Sequence, residues 1–351
     1  MSACSFLHCI RRSWASVFLW RPDQPVDVAS ASFETFQTDD FRRSPVRYAI
    51  DNRVCIRRKL ADENSPLDFA LTRELKAQGA TDYFVAPLFF IDGAVHAASF
   101  ATQEPDGFTD QQIAHLSQLV APLARVTEAH ALQRKASILL DTYVGPHAGA
   151  RVLAGQIRRG DTASIHAAIW LSDMRGFTRL ADLLPPRALV EELNRYFDCQ
   201  VPAILKHGGE VLKYMGDGLL AIFSIAADGA NEQTVCEAAL QAAREARSAV
   251  AAASVAVEDR FDLRFGLALH VGEVLYGNIG SENRLDFTCI GPAVNLVARM
   301  EKLTDGLGRT ILASNEFAKY FPSEFAPVGE FALRGFDAAR AVFGLKDEAK
   351  R

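Results

Sequence analysis

Residues 209–223 read GEVLKYMGDGLLAIF. Two apolar, β-prone runs flank Gly216-Asp217-Gly218, so the stretch reads as a tight β-hairpin with Asp217 at its turn. Upstream, His166–Asp173 (HAAIWLSD) is a short buried-strand run that leads into a helix. A second helix is expected from Pro186 to about Lys206. Downstream come a long Ala-rich helix from about Asn231 to Ala253 and a strand, FDLRFGLALHVG (261–272). A strand-to-helix unit, FTCIGPAVNLVARMEKL (287–303), and further short strands complete the chain. This interleaving, with one hairpin inside it, predicts a ferredoxin-like α/β (α+β) sandwich with helices packed on a mainly antiparallel sheet.

A hairpin placed beside the first strand brings Asp173, at that strand's end, next to Asp217. Adjacent carboxylates repel unless they are protonated or bridged by a cation. Oxygen ligands at a phosphate site suit Mg²⁺ or Mn²⁺. Each aspartate also has a plainer reading, as a helix cap or as turn chemistry. Gly176, at a strand-to-helix junction, lets the N–H groups of Phe177 and Thr178 approach an anion. A triphosphate also needs cations, and Arg264 and Arg334 sit where strand edges present them, although a solvated strand face is the commoner fate of an arginine.

The segments WLSDMRGFT (170–178), GGEVLKYMGDGLLAIF (208–223), LRFGLALHVGEVLYGNIG (263–280) and DFTCIGPAVNLVARM (286–300) together resemble the catalytic domain of class III adenylyl/guanylyl cyclases. The resemblance runs from about residue 163 to about 345 with its motifs in order. It implies that Asp173 and Asp217 hold two Mg²⁺ (or Mn²⁺) per active site, helped by the Met174 carbonyl. It implies that Lys213 and Thr288 read the base. It implies that Asn295 and Arg299 orient the ribose and stabilise the transition state. It assigns Arg264, and by position Arg334, to the phosphates. Thr288 departs from the Asp of many adenylyl cyclases and resembles a Thr-type subgroup that includes bicarbonate-responsive members. The physics agrees: Asn295 and Arg299, at i and i+4, share one helix face. Lys213 donates to adenine N1, whereas guanylyl cyclases typically carry Glu there. The expected activity is conversion of ATP to cyclic AMP and pyrophosphate in a homodimer, since one chain holds every role and a two-fold axis then completes two sites. Guanylyl or mixed specificity, and a silent nucleotide-binding regulator, are the competing readings.

Residues 1–80 are mixed. Tyr83–Ala101 (YFVAPLFFIDGAVHAASFA) reads as a hairpin about Asp92-Gly93, and Thr109 caps a following helix with Asp110 in its first turn. Ile113, Leu116, Leu119, Leu123 and Val126 repeat at helical spacing, with a kink or local break expected at Pro122. This ending resembles that of a GAF-type sensory domain; an unspecified α+β dimerisation domain fits the same residues. The expected organisation is a sensory or dimerisation domain at 1–127 with an unknown regulatory ligand, a helical connector at 128–160 broken at Gly145-Pro146, and a catalytic domain at 161–351. The connector is a signal lever or a passive spacer.

Among the 351 residues the net charge is −5 and no long Lys/Arg run occurs, which argues against nucleic acid as a partner. The cysteines Cys4, Cys9, Cys55, Cys199, Cys236 and Cys289 form no CxxC pair, which fits a reducing, cytoplasmic location. Arg11 and Arg12 interrupt the N-terminal apolar stretch, and no run of about 20 apolar residues is available to span a bilayer.

Overall fold

The computed structural model describes residues 4–11, 14–21, 23–32, 38–225, 232–255 and 262–348. Arg12, in the N-terminal arginine pair, lies outside these. The chain divides into two compact units, Met1–Ala136 and Ser137–Arg351.

The first unit is built on six strands: β1 (Cys4–Arg11), β2 (Trp14–Trp20), β3 (Asp27–Ser32), β4 (Ile56–Arg58), β5 (Asp82–Phe89) and β6 (Val95–Thr102). Their order is β3-β2-β1-β6-β5-β4, with every pairing antiparallel. Helices α1 (Asp39–Arg42), α2 (Pro45–Asn52) and α3 (Ala70–Ala77) lie between β3 and β5 in sequence. The expected hairpin is present: Phe89 pairs with Val95, and the Asp92 carboxylate accepts the Ala94 N–H at 2.9 Å across the turn. The sheet interior is apolar, with Val46, Ala49, Leu60, Tyr83 and Val85 in one buried cluster.

Helix α4 (Asp110–Val144) begins in this unit. Thr109 caps it as expected, its Oγ1 accepting the Gln112 N–H at 3.2 Å while Gln112 Oε1 accepts the Thr109 N–H at 2.8 Å. Of the kink or local break expected at Pro122, the break is absent: the proline lies inside one continuous helix. Ile113, Leu116, Val120, Leu123 and Ala124 pack against Phe84, Phe100 and Phe108 around it, and this burial outweighs the roughly 3 kcal/mol that an interior proline costs. The apolar face also differs: Leu119 and Val126 are exposed, because Val120 and Ala124 take the inward positions.

The second unit opens with the end of α4, the break at Gly145-Pro146, and α5 (Pro146–Leu153). Gly145 takes φ +86, and Pro146 occupies the first helical turn, where its missing N–H costs nothing. The strands are β7 (Thr162–Met174), β8 (Glu210–Met215), β9 (Gly218–Ile225), β10 (Phe265–Ser281), β11 (Arg284–Ile290), β12 (Ile311–Ser314), β13 (Phe325–Phe331) and β14 (Arg340–Leu345). The helices are α6 (Phe177–Leu183), α7 (Pro186–Asp198), α8 (Val201–Lys206), α9 (Glu232–Val255), α10 (Pro292–Glu301), α11 (Leu303–Gly306) and α12 (Asn315–Ala318).

The sheet order is β13-β14-β12-β10-β7-β9-β8, with β11 paired to β10. Its centre, β10-β7-β9-β8, is the ferredoxin-like arrangement expected from sequence, and among the described residues only the β10–β12 pairing is parallel. Along β7 the side chains alternate between two cores. Ala168 and Trp170 face one layer, and Ala167, Ile169 and Leu171 face the other. The first layer is covered by α9 through Cys236, Ala239, Leu240 and Ala243. The second is covered by α10 through Ala293, Leu296, Val297 and Met300. Each fully buried large apolar side chain contributes about 1.5–3 kcal/mol.

The helix expected over Pro186–Lys206 is in fact two. Pro202 has no N–H for the Asp198 carbonyl and its ring crowds that position, so α7 ends and α8 begins anew at Cys199-Gln200. The strand read at 261–272 runs on to Ser281, while Phe261 itself, like Asn231 at the expected start of the Ala-rich helix, lies outside the described residues.

Candidate active site

The β8–β9 hairpin closes with Met215 paired to Gly218, leaving Gly216 and Asp217 as its loop. Gly216 takes φ +69 and Asp217 stays at negative φ, the sign pattern of a II′ turn. On the neighbouring strand Ser172 pairs with Leu219, so the register brings Asp173 alongside Gly218. A Cβ on Gly218 would stand 3.2 Å from Asp173 Oδ1.

The carboxyls of Asp173 and Asp217 are hydrogen-bonding neighbours. Burial first, and then the charge of Asp217, pushes Asp173 up to about 6. Burial raises Asp217 as well. A divalent cation between the two carboxylates would offset this repulsion. Among the described residues no three His, Cys, Asp or Glu side chains form a closed metal cage. Two carboxylates with positions left over suit an ion that also binds substrate phosphates and water.

Beneath the pair lies a polar network that sequence reasoning did not find. The Trp170 indole N–H donates to Ser172 Oγ at 3.2 Å, and Ser172 Oγ donates to Gln200 Oε1 at 2.6 Å, with Tyr196 buried beside them. Ser172 precedes Asp173, so this network anchors the strand end that presents the carboxylate.

Met174 turns its side chain into the core, leaving its backbone at the strand end. Gly176 is the N-cap of α6, and the N–H groups of Phe177 and Thr178 begin that helix. Arg264 belongs to the same end of the sheet: the Arg175 N–H donates to its carbonyl at 2.8 Å, and Phe265 pairs with Met174. Its guanidinium is exposed and lies 3.3 Å from Asp262. Arg334 is elsewhere, in the turn joining β13 and β14 at the opposite edge of the sheet from the hairpin. Within one chain it does not join the aspartates.

Lys213 and Thr288 come together through β8 and β11. A bulge at Leu212 shifts the register between Val211 and Lys213, and Lys213 Nζ lies 3.4 Å from Asp286 Oδ2. Thr288, two residues along β11 and so on the same strand face as Asp286, is buried, with no hydrogen-bond partner for its Oγ1. An orphaned buried hydroxyl costs about 1–3 kcal/mol, which a ligand partner offsets. Asp286 was not singled out from the sequence; the period-two spacing from Thr288 was the available signal.

Asn295 and Arg299 lie on α10 away from its buried residues, and neither side chain has a hydrogen-bond or ion-pair partner among the described residues. Glu301, the last residue of the same helix, was also missed. Burial first, and Asp173 second, pushes it up to about 7.

A ferredoxin-like sheet carrying two adjacent carboxylates at its strand ends, with a lysine and a buried threonine hydroxyl on neighbouring strands, defines the class as a nucleotidyl cyclase type of catalytic domain. The chain belongs to the family described as the adenylate and guanylate cyclase catalytic domain, whose sequence model matches residues 162–346. It is similar to the adenylate cyclase of Anabaena cylindrica, 30% identical over 195 residues, which are 55% of this chain and 37% of that protein. It is similar to adenylate cyclase 1 of Rhizobium meliloti, 26% identical over 175 residues, 49% of this chain and 26% of that protein. The chain thus spans well under half the length of these relatives. A solved bacterial light-regulated adenylyl cyclase shares its fold, with a TM-score of 0.54 at 19% identity over 78% of this chain and 88% of that one. No helix among the described residues is long and apolar enough to cross a membrane.

Proposed function

We propose that this chain is an adenylate cyclase that converts ATP to 3′,5′-cyclic AMP and pyrophosphate as a homodimer. The observation that carries the reading is the adjacency of Asp173 and Asp217, both with raised affinity for protons and therefore poised for a cation. With the Met174 carbonyl they would hold two Mg²⁺ or Mn²⁺ ions, which when bound neutralise the triphosphate and acidify the ribose 3′-hydroxyl.

The chain's own residues do the rest. Lys213 donates to adenine N1, steadied by Asp286, and the Thr288 hydroxyl accepts from the exocyclic amine. Thr288 in place of Asp supports the Thr-type subgroup. The helix start at Gly176, Phe177 and Thr178 offers N–H donors to the phosphates, and Arg264 adds charge. Asn295 orients the ribose, and Arg299 stabilises charge growing on the α-phosphate. The O3′–Pα bond forms as the bond to the β-phosphate oxygen breaks, releasing pyrophosphate and a proton.

Lys213 and Thr288, which read the base, and Asn295 and Arg299, which orient the ribose and stabilise the transition state, would act across the two-fold axis on the nucleotide held at the partner's aspartates, and Arg334, at the far edge of its own sheet, would join them. The exposed apolar side chains Leu119, Val126, Leu132, Leu139 and Tyr143 along α4 support pairing with a second copy. Residues 1–127, as a GAF-like sensory or dimerisation domain with an unknown regulatory ligand, and 128–160, as a helical connector, complete the proposal. The test is turnover by purified protein with ATP, and separately GTP, in Mn²⁺. Cyclic AMP formation that is lost in Asp173→Ala supports the reading, and absence of turnover with either nucleotide refutes it.

A further inference from the structure

Glu301 ends α10, where a carboxylate faces the negative end of the helix dipole and so works against helix stability. Something other than the helix accounts for it. Its carboxylate lies over the backbone of Gly266: a Cβ there would stand 2.9 Å from Glu301 Oε1. Gly266 is the register partner of Asp173 on β10. The same Cβ would meet Thr304 Oγ1 at 2.0 Å, so the missing side chain of Gly266 admits both Thr304 and Glu301 beside the strand end that carries the aspartate. The charges that Glu301 feels are those of Asp173, Lys302, Arg175 and Asp217. It has no hydrogen-bond or ion-pair partner among the described residues, so its acceptor capacity is unspent.

We propose that Glu301 is a positioning residue of the divalent-metal site, an outer acidic group that accepts hydrogen bonds from water on the ion held by Asp173 and deepens the site's negative potential. The inference rests on the metal-site reading of Asp173 and Asp217. Groups of this kind orient what the direct ligands hold, and their loss typically weakens metal affinity by about 10- to 100-fold. Because Glu301 shares α10 with Asn295 and Arg299, one helix would then touch its own chain's metal site and the partner's reacting phosphate.

The test is Mn²⁺ binding by the full chain, followed by electron paramagnetic resonance, with and without a non-hydrolysable ATP analogue. Glu301→Gln is expected to weaken Mn²⁺ binding roughly tenfold, and Glu301→Asp to recover part of it. Glu330→Gln, the same charge change on β13 at the far edge of the sheet, is expected to bind as wild type. Circular dichroism confirms that each variant is folded; should Glu301→Gln fail to fold, Glu301→Asp with its shorter reach takes its place and is expected to bind more weakly than wild type. Wild-type affinity in folded Glu301→Gln, with Asp173→Asn impaired, overturns this inference alone. Wild-type protein that binds no Mn²⁺ overturns the metal-site reading and this inference with it.

Discussion

Lys213 Nζ and Asp286 Oδ2 lie 3.4 Å apart, an ion pair that ties β8 to β11 beside the buried Thr288 hydroxyl. Both side chains are partly exposed, so the pair adds little to stability, about 0–1 kcal/mol. Its value lies in holding a flexible ammonium at one place. Lys213→Glu is therefore expected to lower kcat/KM for ATP by on the order of a hundredfold. Asp286→Asn should lower it roughly tenfold, chiefly through KM. Initial rates with ATP and GTP measure both, and equal losses for the two nucleotides would refute the base-reading role.

The aspartate pair makes the metal-free protein sensitive to pH in a defined direction. The folded Asp173 pKa, about 6, lies above its ordinary value of 3.8, so the native state binds more protons than the unfolded chain between those values. This contribution to stability is therefore lost as pH rises through that window. In chelator, melting temperature should fall from pH 4.5 to pH 7 less steeply in Asp173→Asn than in wild type. Cation binding runs the other way, since it needs both carboxylates ionised: Mn²⁺ affinity should rise between pH 5 and pH 7.

Shared sites predict rescue between inactive chains. Asp173→Ala and Asn295→Ala should each be inactive alone. When the subunits are mixed and exchanged, about half of the dimers are mixed and each holds one intact site, giving about a quarter of wild-type activity. No recovery after demonstrated exchange would place all the functional residues of a site on one chain.

The start of β8 depends on a buried carboxylate. Glu210 accepts the Tyr276 hydroxyl at 3.0 and 2.9 Å, and Arg151 on α5 stacks 5.5 Å from the Tyr276 ring. Tyr276→Phe leaves Glu210 buried without that donor and should cost about 1–3 kcal/mol in chemical denaturation. A loss no larger than that of a Tyr48→Phe control, at an exposed tyrosine, would show that water replaces the hydroxyl.

Much of this arrangement was legible beforehand, because it is local. The tight hairpin at Gly216-Asp217, the Thr109 cap, the Gly145-Pro146 break and the i, i+4 spacing of Asn295 and Arg299 each follow from a few neighbouring residues. So did the order of strands and helices that makes the sheet ferredoxin-like. Helix continuity was less legible. Pro122 sits inside one continuous helix while Pro202 starts a new one, and the local sequence did not separate the two cases, because the apolar contacts that hold α4 together around Pro122 come from segments distant in the chain.

By itself the sequence determined which residue types stand at strand ends and turns, and hence that Asp173 and Asp217 were candidates for one site, because turn chemistry and side-chain periodicity are properties of short segments. Only the tertiary structure decided the rest. The bulge at Leu212 re-aims Lys213 toward Asp286, the bare backbone of Gly266 admits Glu301 beside Asp173, and Arg334 is kept at the far edge of the sheet. These depend on register and on close approach between segments distant in the chain, and such contacts are set by the packing of the whole sheet.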